Sequence, residues 1–411
     1  MFIFRELNLR SLKSILGKAP FVFSANAWCK SYQVRRGYFR TVEHYQSIRL
    51  VDWKPTPFKV PQIRRLKPLA LIEHSARLFF LGTDEQQDRS GTLQALGRLG
   101  ELHWFTRADG SYGQNFPGSE PDRRHTNSAR LLELFEELSA RETVPDLLIA
   151  QTWAGYVNPN VFAHIRQTYG TLIINIGMDD RHQYWGRKVD GEWWGTRGLI
   201  PHLDLALTAA PECVEWYEKE GCPALFFPEA SDPDIFHPMP ELPKLHDVCF
   251  VGGCYGVREK IVKALRKAGV QVAAYGSGWG QGRLDTEEVP RLFAQSKIVL
   301  GVGTIGHCED FYALKMRDFD GPMSGSCYVT HDNPDLRLVY NVGEEIVTYR
   351  TVDECVDTVR WYLSHENERE LVARAGRARA LADHTWEKRF KSLFDVLRTG
   401  LNLSDHGFGV Q

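Results

Sequence analysis

The chain has no uninterrupted apolar run approaching the roughly 18 to 20 residues that span a bilayer, so no transmembrane helix is expected. None of its eight cysteines (Cys29, Cys213, Cys222, Cys249, Cys254, Cys308, Cys327, Cys355) sits in a CxxC pair or at a Cys/His spacing suited to zinc. That argues against zinc-ribbon and dithiol-redox classes and fits a reduced, cytoplasmic setting. A formal net charge of -2 offers no broad basic surface, so nucleic acid is not an expected partner, and phosphates would have to be met by a few placed groups. The glycine loop Gly252-Gly253-Cys254-Tyr255-Gly256 has the spacing of neither a dinucleotide fingerprint nor a P-loop. The first twenty residues, MFIFRELNLRSLKSILGKAP, alternate Phe, Leu and Ile with Arg and Lys and so lack the clean apolar stretch of a secretion signal. They fit a short amphipathic helix, either making a weak membrane-surface contact or, the preferred reading, packed on the protein or a second subunit.

What is present points to a globular enzyme of two units. A length of 411 residues exceeds what one hydrophobic core usually supports, and 43% hydrophobic with 25% charged residues fits a folded, soluble chain. Residues 1–75 show no strand–helix rhythm, with prolines after Lys54 and Lys59 breaking any long element, and read as an N-terminal extension. From Arg77 the texture changes. ARLFFLGTD, ELHWF, PDLLIAQT, TLIINIGMDD, LDLALTAA and PALFFPEA are apolar strands alternating with helical stretches or loops, and HTNSARLLELFEEL reads as a helix capped by Asn127 or Ser128. Such alternation means a parallel, doubly wound α/β sheet over residues 76–240. The proline-rich run SDPDIFHPMPELPKL, residues 231–245, reads as a hinge or linker. A second unit, 241–382, opens with HDVCFVGG, VQVAAYGSG and KIVLGVG; Thr351 and Glu354 form a capping box, and a last helix falls within 383–411.

The densest segment is Tyr312 to Tyr349. A helix over 314–324 puts Met316, Phe319 and Met323 on one face and Arg317, Asp320 and Ser324 on another, with Gly325 ending it and Ser326–Thr330 following as a buried strand. A guanidinium beside a carboxylate suits a ligand bearing phosphates and a ribose diol; an exposed i, i+3 ion pair fits the same spacing.

The run LKMRDFDGPMSGSCYVTHDNPDL, followed by GEEIVTY, a helix and DHTWEKR, resembles the CgeB-like branch of the group 1 glycosyltransferases, over residues 245–395 and more thinly over 145–240. The resemblance implies a GT-B fold, α/β with two Rossmann-like doubly wound domains facing across a cleft. It also implies a last helix crossing back to the first domain, and a nucleotide diphosphate-sugar donor. The family's usual glutamate is Asp320 here, and Tyr312 stands where many retaining relatives carry another.

Ligands in open α/β sheets bind at the carboxyl ends of strands. The donor-binding candidates are therefore Gly252, Gly253, Tyr255 and Arg258 in one loop and helix start, Gly276, Gly278 and Trp279 in a second, His307 in a third, and Lys315, Arg317, Asp320 and Gly325. Lys315 and Arg317 would neutralise the diphosphate and Asp320 would hold the ribose. Trp279 would stack on the base or ribose, or else wedge against a neighbouring helix. Asp179, Asp180 and Glu309 are the catalytic candidates, a carboxylate serving as base toward an acceptor hydroxyl. Adjacent aspartates point to opposite sides, so only one of Asp179 and Asp180 is expected in the cleft. Trp185, Trp193 and Trp194 would form an acceptor platform, or else pack against the N-terminal extension. No cofactor or metal is expected. The expected activity is hexosyl transfer to a glycan, protein or small-molecule acceptor; an epimerase or hydrolase on the same scaffold, or a non-catalytic sugar-binding assembly protein, are the alternatives.

Overall fold

The computed structural model describes residues 20–47 and 76–399; the amphipathic segment expected before Pro20 lies outside them. Six parallel strands make the first sheet: β1 (Arg77–Leu81), β2 (Glu101–Trp104), β3 (Leu147–Ala150), β4 (Leu172–Gly177), β7 (Leu205–Thr208) and β8 (Ala224–Phe226), in the order β2-β1-β3-β4-β7-β8. Every residue of β3 and β4 is buried, as a parallel sheet covered on both faces requires. The tryptophan-rich loop contains a small antiparallel hairpin of β5 (Lys188–Val189) and β6 (Glu192–Trp193), turned by Asp190 and Gly191 at positive φ.

The second sheet has five parallel strands: β9 (His246–Val251), β10 (Val272–Tyr275), β11 (Ser296–Leu300), β12 (Cys327–His331) and β13 (Val347–Tyr349), in the order β10-β9-β11-β12-β13. The chain winds outward across the sheet in one direction from β9 to β10 and in the other from β11 to β12 and β13, and a crevice opens where that winding reverses.

The N-terminal helix α1 (Pro20–Ser47) lies across both units. Tyr45 is buried and its hydroxyl donates to Glu220 at 2.7 Å, with its ring stacked on Trp216. Toward the other end, Arg35 pairs with Asp310, and the Tyr38 ring meets Phe311 at 4.9 Å. Helix α2 (Thr92–Leu99) packs on the last helix, α8 (Trp386–Thr399), whose Trp386, Phe390 and Leu393 join Leu78, Phe80, Leu96 and Phe227 in one core of the first unit. Burying two such aromatics contributes several kcal/mol, which anchors the chain's return to the first sheet.

Local boundaries differ from the sequence reading in three places. Helix α3 (Glu120–Ala140) is capped by Ser119, two turns before Asn127. Its first turns are polar and carry no apolar period, and Asn127 is instead buried, donating to the carbonyls of Gln114 and Tyr156. The Arg317 helix, α6 (Arg317–Met323), starts late because the Asp318 carboxylate takes the Lys315 amide at 2.7 Å. In helix α7 (Val352–Ser364) Thr351 caps the Glu354 amide, but the Glu354 carboxylate reaches past it to the Arg350 amide.

Candidate active site

The reversal between β9 and β11 is floored by two interlocked glycine loops. Gly276 adopts φ +132°, and a Cβ there would lie 2.4 Å from the Gly252 carbonyl oxygen; Gly252, at φ +157°, has the Arg317 guanidinium 3.0 Å from where its own Cβ would be. Only glycine at both positions lets the loops close on each other and on the arginine. The Gly252 amide donates to Tyr275, the Cys254 amide to Ser277, and the Trp279 indole to Gly252 at 2.7 Å. Above this floor is a cleft of about 300 Å³, lined from the second unit by Gly252, Gly253, Gly276, Ser277, Met316, Arg317 and Asp320 and from the first by Asp84, Gln86, Gln87 and Ser90. Gln86 donates across it to the Leu284 carbonyl at 3.4 Å.

Two guanidiniums, Arg258 buried and Arg317 half-buried, meet at this floor. Arg258, at the start of helix α5 (Val257–Lys267), lies 4.1 Å from the Tyr255 ring centroid and donates to the Gly253 carbonyl at 3.2 Å. Arg317 donates to the Val251 carbonyl at 2.7 Å, and both cations flank Phe250 at 5.8 and 5.1 Å. Among the described residues neither has a carboxylate within ion-pair distance, and the Nε of each is buried without a partner. Burial, reinforced by Arg317, lowers the Arg258 pKa to about 10. Holding two like charges together, one of them buried, without counter-ions is costly, and an anion at the floor would relieve that cost.

Beside them, Asp320 is buried with its Oδ1 unpartnered. Burial raises its pKa well above the usual carboxylate range, opposed by Ser231 and Arg317 and supported by Glu229. Glu229, just after β8, is itself buried, has an unpartnered Oε2 and is pushed up to about 7 by burial, with Lys315 pulling the other way.

The aspartate pair splits as alternation suggests. Asp180 is sealed away from the cleft, its carboxylate accepting from Thr196 at 2.6 Å and Tyr217 at 3.0 Å; its location corrects its place among the catalytic candidates. Asp179 remains partly exposed, 3.9 Å from the His182 Nε2, and lines a second cavity of about 370 Å³ with Trp153, Tyr156, Gln183, Trp194 and the Arg187–Glu120 pair. His182 is half-buried, and desolvation lowers its pKa, with Asp179 opposing and Lys315 adding to the depression. Lys315 of the second unit thus acts on two groups of the first.

Several other candidates lie elsewhere. Trp185 packs on His44 and Tyr45 of α1 and under the Arg197 guanidinium, and Trp193 meets its edge at 4.8 Å, so of the three loop tryptophans Trp194 alone lines the cavity at Asp179. Trp279 is wedged against Phe250 rather than lining the cleft. Gly325, at φ +74°, ends α6 against Pro238 and does not line the cleft. Glu309 pairs with Lys260 at 2.6 Å and, with His307, lines a third cavity against α1. Tyr255, Gly253 and Gly278 belong to the interlocked loops, Gly278 closing on Cys254. Glu229, His182, Trp153 and Tyr156 were missed. Glu229 and His182 carried one signal, a titratable group just past an apolar strand; Trp153 and Tyr156 stand in a loop with no marked composition.

Residues 258–395 match the profile of a family described as Glycosyl transferase-like. No curated protein matches the chain. Among solved structures, sucrose-phosphate synthase from Thermosynechococcus elongatus superposes with a TM-score of 0.56 at 12% identity, covering 79% of this chain and 98% of that one. HepE from Anabaena in complex with UDP-glucose gives 0.55 at 10% identity, covering 78% and 98%. The same protein in complex with UDP and glucose gives 0.52 at 11% identity, covering 85% and 98%. The fold is GT-B: two Rossmann-like sheets facing across a cleft, as the family resemblance implied.

Proposed function

We propose that this chain is a glycosyltransferase that moves a hexosyl group from a nucleotide diphosphate-sugar to an acceptor hydroxyl, within the CgeB-like branch of its family. One observation carries the reading: Arg258, buried, and Arg317, half-buried, with no carboxylate partner among the described residues, converge on a glycine floor at the strand reversal of the second sheet. Two cations and close backbone approach suit a diphosphate, and the cationic donor set would repel a metal ion, so a metal-independent reaction fits it. Charge builds on the diphosphate as the glycosidic bond breaks. Guanidinium hydrogen bonds that strengthen then lower the barrier.

The remaining groups take roles by position. Asp320 accepts from the ribose diol through its open oxygen. Lys315 faces both Glu229 and His182 and meets the distal phosphate or the sugar. Asp179, on the acceptor side, takes the proton from the attacking hydroxyl, with His182 beside it. The aromatic cavity at Asp179 favours a separate acceptor, and a glycan in particular, over an epimerase or hydrolase that needs none. Binding of UDP-glucose by HepE makes a uridine diphosphate-hexose the first donor to try. The free state of all eight cysteines supports a cytoplasmic setting.

Isothermal titration with UDP, GDP and their hexose conjugates tests this directly. Saturable binding of at least one, followed by sugar transfer to a glycan acceptor, is expected. Absence of binding by every nucleoside diphosphate at millimolar concentration would overturn it.

A further inference from the structure

The inward face of α1 is fixed by packing. Thr41 and Tyr45 are buried, Ser31, Arg35 and Tyr38 are half-buried, and the Arg35–Asp310 and Tyr45–Glu220 contacts tie its two ends to different units. Helical geometry then turns Trp28, Tyr32, Arg36, Phe39 and Arg40 outward along one stripe. Trp28 is 67%, Tyr32 50% and Phe39 63% exposed, a concentration of large aromatics on one helix face that a solvated surface does not need. The Trp28 and Tyr32 rings stack at 5.7 Å and 12°, and the Arg36 guanidinium lies 5.9 Å from the Tyr32 ring. Lys30 flanks the stripe, and Glu43 is the one acid on the exposed face.

We infer that this face of α1 docks on an anionic lipid surface. Aromatic rings interleaved with arginines suit the headgroup boundary, where rings bury in the acyl edge while cations meet phosphates. The positive face stands out from a chain whose net charge is -2, so the attraction is local rather than general. A second copy of this chain is a poorer occupant, because a two-fold contact would set Arg36 and Arg40 against their own images. The stripe borders the third cavity, about 810 Å³, where Trp28, Tyr32 and Arg35 face Lys260, His307 and Arg350 of the second unit.

Flotation of the full chain with vesicles tests the inference without any nucleotide, so its outcome is independent of the proposed activity. Binding to phosphatidylcholine vesicles containing phosphatidylglycerol, absent with phosphatidylcholine alone and weakened by salt, is expected. Arg36→Gln and Arg40→Gln should each weaken partition about fivefold. The double variant Trp28→Ser, Phe39→Ser should weaken it further while leaving the melting temperature unchanged, since both rings are exposed. No flotation with anionic vesicles would overturn the inference. So would binding that the aromatic substitutions leave untouched, which marks a mere polycation patch, or a concentration-dependent dimer abolished by the same substitutions.

Discussion

The Arg181 guanidinium of the first unit lies 2.8 Å from the Asp335 carboxylate of the second, while clamping Glu212 through two nitrogens at 2.6 and 2.7 Å and donating to the Tyr312 carbonyl. All of these groups are largely buried, so Arg181 is a polar bolt across the domain boundary. Arg181→Met leaves Glu212 and Asp335 without their cation and should cost about 3–5 kcal/mol. Urea denaturation checks this; a loss under about 1 kcal/mol, the range of an exposed pair, would show that the bolt does not hold the units together.

Arg258→Met should separate binding from stability. Each charge-assisted hydrogen bond to a phosphate contributes about 1.5–3 kcal/mol, so nucleoside diphosphate affinity should fall roughly tenfold to a hundredfold. Without ligand, the substitution removes a buried cation that has no counter-ion, and thermal stability should hold or rise. Calorimetric titration and melting curves on the same sample give both numbers, and a large unliganded loss would make Arg258 a structural residue.

Asp179→Asn and Asp180→Asn should fail in different ways. At Asp179 turnover should drop about a hundredfold or more with donor affinity and melting temperature preserved, as for loss of a general base. At Asp180 the substitution leaves Thr196 or Tyr217 badly paired in a dry site, costing about 1–3 kcal/mol. Equal stability losses in the two variants would remove the distinction.

Glu229 sets a pH dependence whose sign follows from burial. Its folded pKa of about 7 lies above that of the unfolded chain. Its stabilising contribution is therefore full below the unfolded value, near 4.3, and lost as pH rises through about 7. Glu229→Gln escapes that loss. The variant should gain on the wild type between pH 5 and pH 8 by an amount on the order of 3 kcal/mol. Parallel pH–stability curves for the two proteins would refute the assignment.

Gly276→Ala should abolish nucleotide binding, because its Cβ would press on the Gly252 carbonyl at 2.4 Å and force the loops apart. Gly110→Ala is the control. It too has positive φ but meets nothing within 4 Å, so it should cost about 1 kcal/mol and leave binding intact.

Alternation of apolar strands with amphipathic helices was readable because buried parallel strands must be apolar along their whole length; β3, β4 and β12 appear in the chain as continuous apolar or near-apolar runs. The crossing of α8 was implied by the family resemblance, and its apolar side was visible as Trp386, Phe390, Leu393 and Phe394 at helical spacing. Cap positions were less legible: Ser119 opens a helix whose first turns are polar, and no apolar period marks them.

The linear order of residues determined that two doubly wound units exist, that glycine loops follow β9 and β10, and that cations stand near Asp320. Tertiary structure alone decided which of two adjacent aspartates lines the cavity at Trp194, that Trp185 packs on α1, and that Glu229 acts with Lys315 from across the boundary. Periodicity encodes which face of an element is buried, because that depends on a few neighbours in the chain. Which buried face meets which is set by packing between segments far apart in sequence, and no local pattern records it.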